Sequence, residues 1–286
     1  MLCALMAPSA VQSQTPNTLD QTELAKFFKD YPYVIYNTKL FSAESEFVFP
    51  EGFSRLPDSK MTKYQAWVSR MPLWHFQKGV ATLGQGLAFE EDEISRCVML
   101  PWRTSKFFDY TVPLQIQLEW LLKEKRADRW TILPKAGDTM SYARWLSSTP
   151  VYDNRRRLIL KPSEVRMPDS LEYNRFFNLV ADNSNYLSLE SNCDSVTEDQ
   201  LRPGDLLIAR NELGTSGRVF VLLTILQNEQ EDKRYLVATG GNPPCDFYIP
   251  KFHGEQTNPW LTLDEVKGLP SQDLTYKGFF RLRMPK

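Results

Sequence analysis

From about residue 204 to the C-terminus the apolar residues recur at every second position, and this change of period constrains the fold more than any single motif. Five runs, "DLLIAR", "RVFVLLTI", "RYLVATG", "CDFYIP" and "GFFRLRM", are separated by polar turns such as "QNEQEDK" and by "GGNPP". Side chains alternate between the faces of a strand, so the pattern predicts an antiparallel sheet. In "GRVFVLLTI" both alternating sets are apolar: Val219, Val221, Leu223 and Ile225 on one side, Phe220, Leu222 and Leu226 on the other. Such a strand is covered on both faces. Arg218, at its mouth, is the exception.

Upstream the spacing is helical. In "SKMTKYQAWVSRMP", Tyr64, Trp67, Val68 and Met71 recur at i, i+3, i+4 and i+7 before Pro72 stops the run. "DYTVPLQIQLEWLLKEK" has Pro113 in its first turn, a stripe of Leu114, Leu118, Leu121 and Leu122, and Glu119 and Lys123 spaced as an i,i+4 pair. The Leu stripe needs an apolar partner, and the strand from Arg218 to Ile225 offers two. "GDTMSYARWLSS" reads as a shorter helix capped by Asp138, and "PDSLEYNRFFNLV" as one with Asp169 and Glu172 in capping-box spacing. A further short helix fits residues 19–33. "GVATLGQG" and "ISRCVML" read as strands around the acidic turn "EEDE", and the "RRRLILKP" strand with the following "SEVRMP" is the most linker-like connection. Helices followed by an antiparallel sheet predict an α+β fold, with a single domain over 51–286 and an N-terminal extension over 15–50.

The balance of 34 basic against 35 acidic residues, interspersed rather than blocked, gives no electrostatic footprint for nucleic acid or an anionic membrane. No later run approaches the roughly 18 apolar residues of a membrane span. Residues 1–14, "MLCALMAPSAVQSQ", resemble the back half of a secretory signal peptide with cleavage near Ala10 to Ser13, which predicts an exported, periplasmic or extracellular protein. Past that segment Cys97, Cys193 and Cys245 remain, at spacings that match no zinc or redox motif.

Two histidines limit the choice of general base. His75 lies among aromatics in "MPLWHFQKG"; His253 lies in the loop "KFHGEQTNPW". Neither belongs to a zinc-binding pattern, and the chain has no G-x-S-x-G elbow, P-loop or dinucleotide fingerprint, so no metal or cofactor is expected.

The collinear series "GFSRL", "YQAWVSRMPL", "GVATLGQG", "VPLQIQLEWLL", "RPGDLLIAR", "GRVFVLLTI", "YLVATGGNPPCDFYIP" and "NPW" resembles the bacterial family called domain of unknown function 4846, from about Gly52 to Pro285. In that family a Cys at the start of the long helix, a His opening a strand and a Gln on the next strand resemble the papain-like core of NlpC-type cell-wall peptidases. The resemblance implies a thiol activated by a helix dipole and an adjacent imidazole. Here the corresponding seats fall on Asp109, Arg218 and Thr239. An Arg cannot accept a proton at neutral pH, and an Asp beside it should have a lowered pKa and be a poorer base.

The resemblance therefore implies a degenerate cysteine-peptidase fold that binds a peptide or cell-wall fragment without catalysis. Arg218 is then either a solvated charge at a strand mouth, or a partner of Asp109 or of a carboxylate-bearing ligand. Two alternatives stand beside this reading. One is an active hydrolase using Asp109, Cys245 and His253, although Cys245 also reads as a plain loop cysteine. The other is a structural or interaction protein with contact surface around Trp67, Trp74, Trp102 and Trp260.

Overall fold

The computed structural model describes residues 41–285 except 75–78, 83–85, 102, 255–256 and 272. The signal-like segment, the helix expected over 19–33, His75 and Trp102 lie outside the described residues.

The five alternating runs form β10 (Leu206–Arg210), β11 (Gly217–Gln227), β12 (Lys233–Thr239), β13 (Tyr248–Pro250) and β14 (Thr275–Leu282). Earlier in the chain lie β1 (Ser54–Arg55), β2 (Val80–Thr82), β3 (Gly86–Phe89), β4 (Ile94–Cys97), β5 (Thr131–Ile132), β6 (Met140–Ser141), β7 (Ser148–Tyr152), β8 (Leu158–Pro162) and β9 (Cys193–Val196). One antiparallel sheet of eight strands runs β4-β13-β12-β11-β10-β14-β9, with β1 paired to the far end of β11. Three two-stranded ladders, β2-β3, β5-β6 and β7-β8, lie outside it.

The helices are α1 (Ala43–Glu46), α2 (Lys63–Val68), α3 (Val112–Lys123), α4 (Tyr142–Leu146), α5 (Ser170–Asp182), α6 (Tyr186–Ser191) and α7 (Leu263–Lys267). This is a mixed α and β structure around an antiparallel sheet, and the expected order of N-terminal helices followed by strands is not what the chain adopts. β1, β4 and β9 join the sheet from the first two hundred residues, and α7 intervenes between β13 and β14. β4 lies within the expected strand "ISRCVML", whereas β1 and β9, of two and four residues, are too short to set a period of their own.

α3 crosses one face of the sheet. Leu114, Leu118 and Leu121 are fully buried in the same core as Val219, Val221, Leu223 and Ala238, as the Leu stripe required. Phe220, Leu222, Ile225, Val237 and Phe279 line the other face with Leu261 and Val266. Both faces of β11 are therefore covered, but its alternation is broken. A bulge between Leu222 and Thr224 inserts one residue, and this moves Leu226 to the α3 side and Ile225 to the opposite one.

α3 is buried all round rather than amphipathic. Glu119 does not pair with Lys123 on a wet face; it is sealed in the core, where Arg103 clamps it through Nε (2.5 Å) and Nη2 (2.9 Å). The strand expected in "RRRLILKP" is β8, whose Leu158 and Leu160 are buried against the core, and residues 163–168 after it form neither helix nor strand. Ser141, not Asp138, caps α4, and Asp138 instead accepts from Arg144 and Leu160 N. Packing extends upstream into the segment over 43–50, where Phe47 and Phe49 meet the Trp260 ring edge-on. Trp67 and Trp260 are buried and Trp74 partly so, which leaves these three little surface for contacts.

Candidate functional site

Asp109 precedes α3 by three residues and is buried, 1% exposed. Its carboxylate accepts three hydrogen bonds: Oδ1 from the Tyr186 hydroxyl (2.8 Å) and Tyr110 N (2.9 Å), and Oδ2 from Val219 N (3.0 Å). The last of these follows from the strand register. Phe220 and Thr239 are the final pair of the β11-β12 ladder, so Val219 lies one position past it, and Asp109 supplies the acceptor that the departing strand withdraws.

The backbone beside Asp109 runs alongside the end of β12, with Asp109 N donating to Gly241 O (3.3 Å). Gly240 permits this approach: a Cβ there would sit 3.1 Å from both Asp109 Cα and Val112 Cγ2. Gly217 does the same for α6, since its Cβ would sit 2.8 Å from the Tyr186 ring.

Arg218 and Thr239 converge on the same point. The Thr239 hydroxyl donates to Val219 O (2.7 Å), with Gly240 O at 3.1 Å as the alternative acceptor for its one proton, and Arg218 Nη1 donates to Gly240 O (3.2 Å). Arg218 is half-buried rather than a fully solvated strand-end charge. Its guanidinium contacts the Gly240 carbonyl, and its charge reaches Asp109 through space.

The expected lowering of the Asp109 pKa is reversed. Loss of hydration on burial pushes the carboxyl up to about 6, against the opposing pull of the Tyr186 hydrogen bond, the Arg218 charge and the two backbone N–H groups. Burial, together with the Asp109 charge and their hydrogen bond, raises the Tyr186 hydroxyl above its ordinary range, and burial beside Asp109 takes Tyr110 up to about 12. Tyr110 and Tyr186 also pack edge to face, ring centroids 5.0 Å apart. Neither tyrosine is marked in the sequence as a site residue.

Cys245 borders the site, within electrostatic reach of Arg218 and Asp109 and against Gly241, but packs into a separate apolar cluster. Cys245 packs with Val80, Ile94, Cys97 and Tyr248, and burial followed by repulsion from Asp246 pushes its thiol up to about 12. His253 sits in a left-handed turn (φ 54°) with Nε2 3.4 Å from Glu265 Oε1 at the start of α7. Cys97, Cys193 and Cys245 are all buried, and Cys193 and Cys245 are free thiols. Among the described residues no group of three or more His, Cys, Asp and Glu side chains is placed to hold a metal ion. Nor does any helix among them have the length and apolarity to cross a membrane.

A helix leading into an antiparallel sheet, with its first residues tied to a strand mouth, defines the class of structure to which this site belongs. The model of the domain of unknown function 4846 family matches residues 43–279, and the chain belongs to that family. No curated protein and no solved structure matches it.

Proposed function

We propose that this protein is an exported, non-catalytic member of its family, with a papain-like, NlpC-type core whose catalytic seats have become a structural lock. In this reading it acts by binding a peptide or cell-envelope component. The observation that carries the proposal is the engagement of the Asp109 carboxylate by Tyr186, Tyr110 N and Val219 N. A nucleophile or base needs a free lone pair beside a group that can exchange its proton. Asp109 has neither access to solvent nor a proton-accepting neighbour, because the base seat holds a guanidinium.

Binding is left to the rim. Arg218 is the one charged residue of the three seats that is still in part open to solvent, and its planar fork suits a carboxylate of a peptide. Export rests on the composition of residues 1–14. A hydrolase built on Cys245 finds little support: a thiol with a pKa near 12 supplies almost no thiolate at neutral pH.

The test combines a thiol-directed covalent probe with peptidoglycan fragments. The expected result is no turnover, no stoichiometric labelling of Cys245 in the folded protein, and fragment binding that weakens in Arg218→Ala. Turnover that disappears in Cys245→Ala would overturn the proposal.

A further inference from the structure

Two surface clefts share Lys60, and their linings differ in charge. The smaller, about 380 Å³, includes Arg55 and Lys60 but also Glu229 and Glu231. The larger, about 560 Å³, brings Lys60, Arg202 and Arg281 together with Thr62, Gln65 and Gln200, and among the described residues no carboxylate lines it. We propose that this larger cleft binds an oxyanion, the carboxylate or phosphate group of a small ligand. It shares no residue with the Asp109 site and does not depend on the function proposed for it.

The cations are arranged so that positive charge is left over. Arg281 is held by Asp205 (Nε to Oδ1 2.7 Å, Nη2 to Oδ2 2.8 Å) and by Gln200 O (2.8 Å), which fixes its guanidinium and leaves Nη1 without a partner among the described residues. Asp205 also accepts from Arg202 N (2.7 Å), so the same buried carboxylate positions the backbone of the second arginine. Among the described residues the Arg202 side chain donates only to Leu201 O (2.7 Å), and Lys60 forms no ion pair.

Of the nearby carboxylates, Asp199 lies within electrostatic reach of Arg202 and Lys233, and two others are engaged elsewhere. Asp58 faces Arg55 (3.0 Å) and Arg70 (2.6 Å), and Glu198 faces Lys267 (2.9 Å). At the edge of the cluster, Lys233 donates to Asp199 O (3.1 Å). Its pKa is lowered, first by burial and then by repulsion from Arg202, which outranks the attraction of Asp199 and Glu231. A fixed guanidinium, a second guanidinium and an ammonium beside amide and hydroxyl donors match the acceptor-rich surface of a carboxylate or phosphate.

The proposal is tested by calorimetric or chemical-shift titration with three probes: inorganic phosphate, acetyl-dialanine with a free carboxylate, and the same peptide amidated. Saturable one-site binding of phosphate or of the free-carboxylate peptide is expected at millimolar or lower concentration, weakening as salt is raised. Phosphate alone binding identifies a phosphate ligand; the free peptide binding while its amide does not identifies a carboxylate. The double substitution Lys60→Ala with Arg202→Ala should weaken binding at least about tenfold, the loss expected when charge-assisted hydrogen bonds to an anion are removed. Arg202→Gln, which keeps side-chain bulk and polarity, serves if the double variant does not fold. Absence of saturable binding by either anion, or binding equal in wild type and variant, would overturn the proposal.

Discussion

Asp109 and Asp205 are both buried at 1% exposure, and both hold a strand of the central sheet, yet they are satisfied by different chemistry. Asp205 precedes β10 and meets a guanidinium, Arg281 of β14, through two bonds, with Arg202 N as a third donor. Asp109 precedes α3 and meets three donors that carry no charge. Burial raises the pKa of both, in Asp205 against the hydrogen bond and charge of Arg281, in Asp109 against neutral donors and a more distant Arg218. The difference teaches that a buried carboxylate can tie a sheet together without a cation in contact. It then holds its charge less firmly, and the tie responds to pH.

The largest expected effect breaks the Asp205 side of this comparison. Arg281→Met leaves a buried carboxylate facing only Arg202 N, and should cost about 3 kcal/mol in a urea titration near neutral pH. That is the low end for a broken buried pair, because the Arg281 side chain is 38% exposed. The cost should shrink at acid pH, where Asp205 can take up a proton. A loss below about 1 kcal/mol would make the pair an ordinary surface bridge.

The second prediction concerns Asp109 and pH. Its folded-state pKa of about 6 lies above the ordinary 3.8, so the folded protein holds this proton more tightly than the unfolded chain. The contribution to stability is complete below about 3.8 and is lost as pH rises through about 6, up to about 3 kcal/mol in all. Other carboxylates such as Asp58 and Asp138 shift the opposite way, so the effect is read as a difference. The stability of wild type minus that of Asp109→Asn should fall between pH 4 and pH 7. A difference independent of pH would mean that Asp109 does not titrate in this window.

Asp109→Asn itself tests the lock at fixed pH. An amide carries one acceptor oxygen where the carboxylate has two; the orientation that keeps two bonds leaves the oxygen on Tyr110 N and Tyr186 and turns the NH2 on Val219 N. The expected cost at neutral pH is about 2 kcal/mol, typical of a buried donor left without its acceptor. Hydrogen exchange should rise first at the Val219 amide. Unchanged protection there would remove Asp109 from its proposed place as the substitute for a strand partner.

The two sites also differ in how far the sequence announces them. All five C-terminal strands and the long helices α3 and α5 are legible, because each carries enough residues to set a period. The two-residue strands β1, β5 and β6 are not, and α6 is short enough that "NYLSLES" shows only Tyr186 and Leu189 on one face. Asp109, Arg218 and Thr239 are found through the order of family motifs. Tyr186 is not, because its bond to Asp109 spans 77 positions and nothing local marks a phenol for that use. The direction of the Asp109 shift is misread from sequence for a related reason. Sequence order brings Arg218 near, but the depth of burial that outweighs its charge is a property of the packed sheet.

The smallest expected effect belongs to Arg218, and it sharpens the comparison because Arg218 stands to Asp109 as Arg281 does to Asp205, but without contact. Its one hydrogen bond among the described residues goes to Gly240 O, at 3.2 Å and from a partly exposed guanidinium, so little is lost when the guanidinium is removed. Arg218→Ala should therefore change stability by less than about 1 kcal/mol, in line with a partly exposed charge acting at a distance. What it should change is the titration of Asp109. Arg218 favours the ionised carboxylate, so its loss should move the Asp109 midpoint further up from about 6, seen as a shift in the carboxyl carbon resonance with pH. A loss of stability as large as that of Arg281→Met, with an unmoved midpoint, would mean that Arg218 is held as a direct structural partner. The distinction between a lock built from neutral donors and one built on an ion pair would then fail.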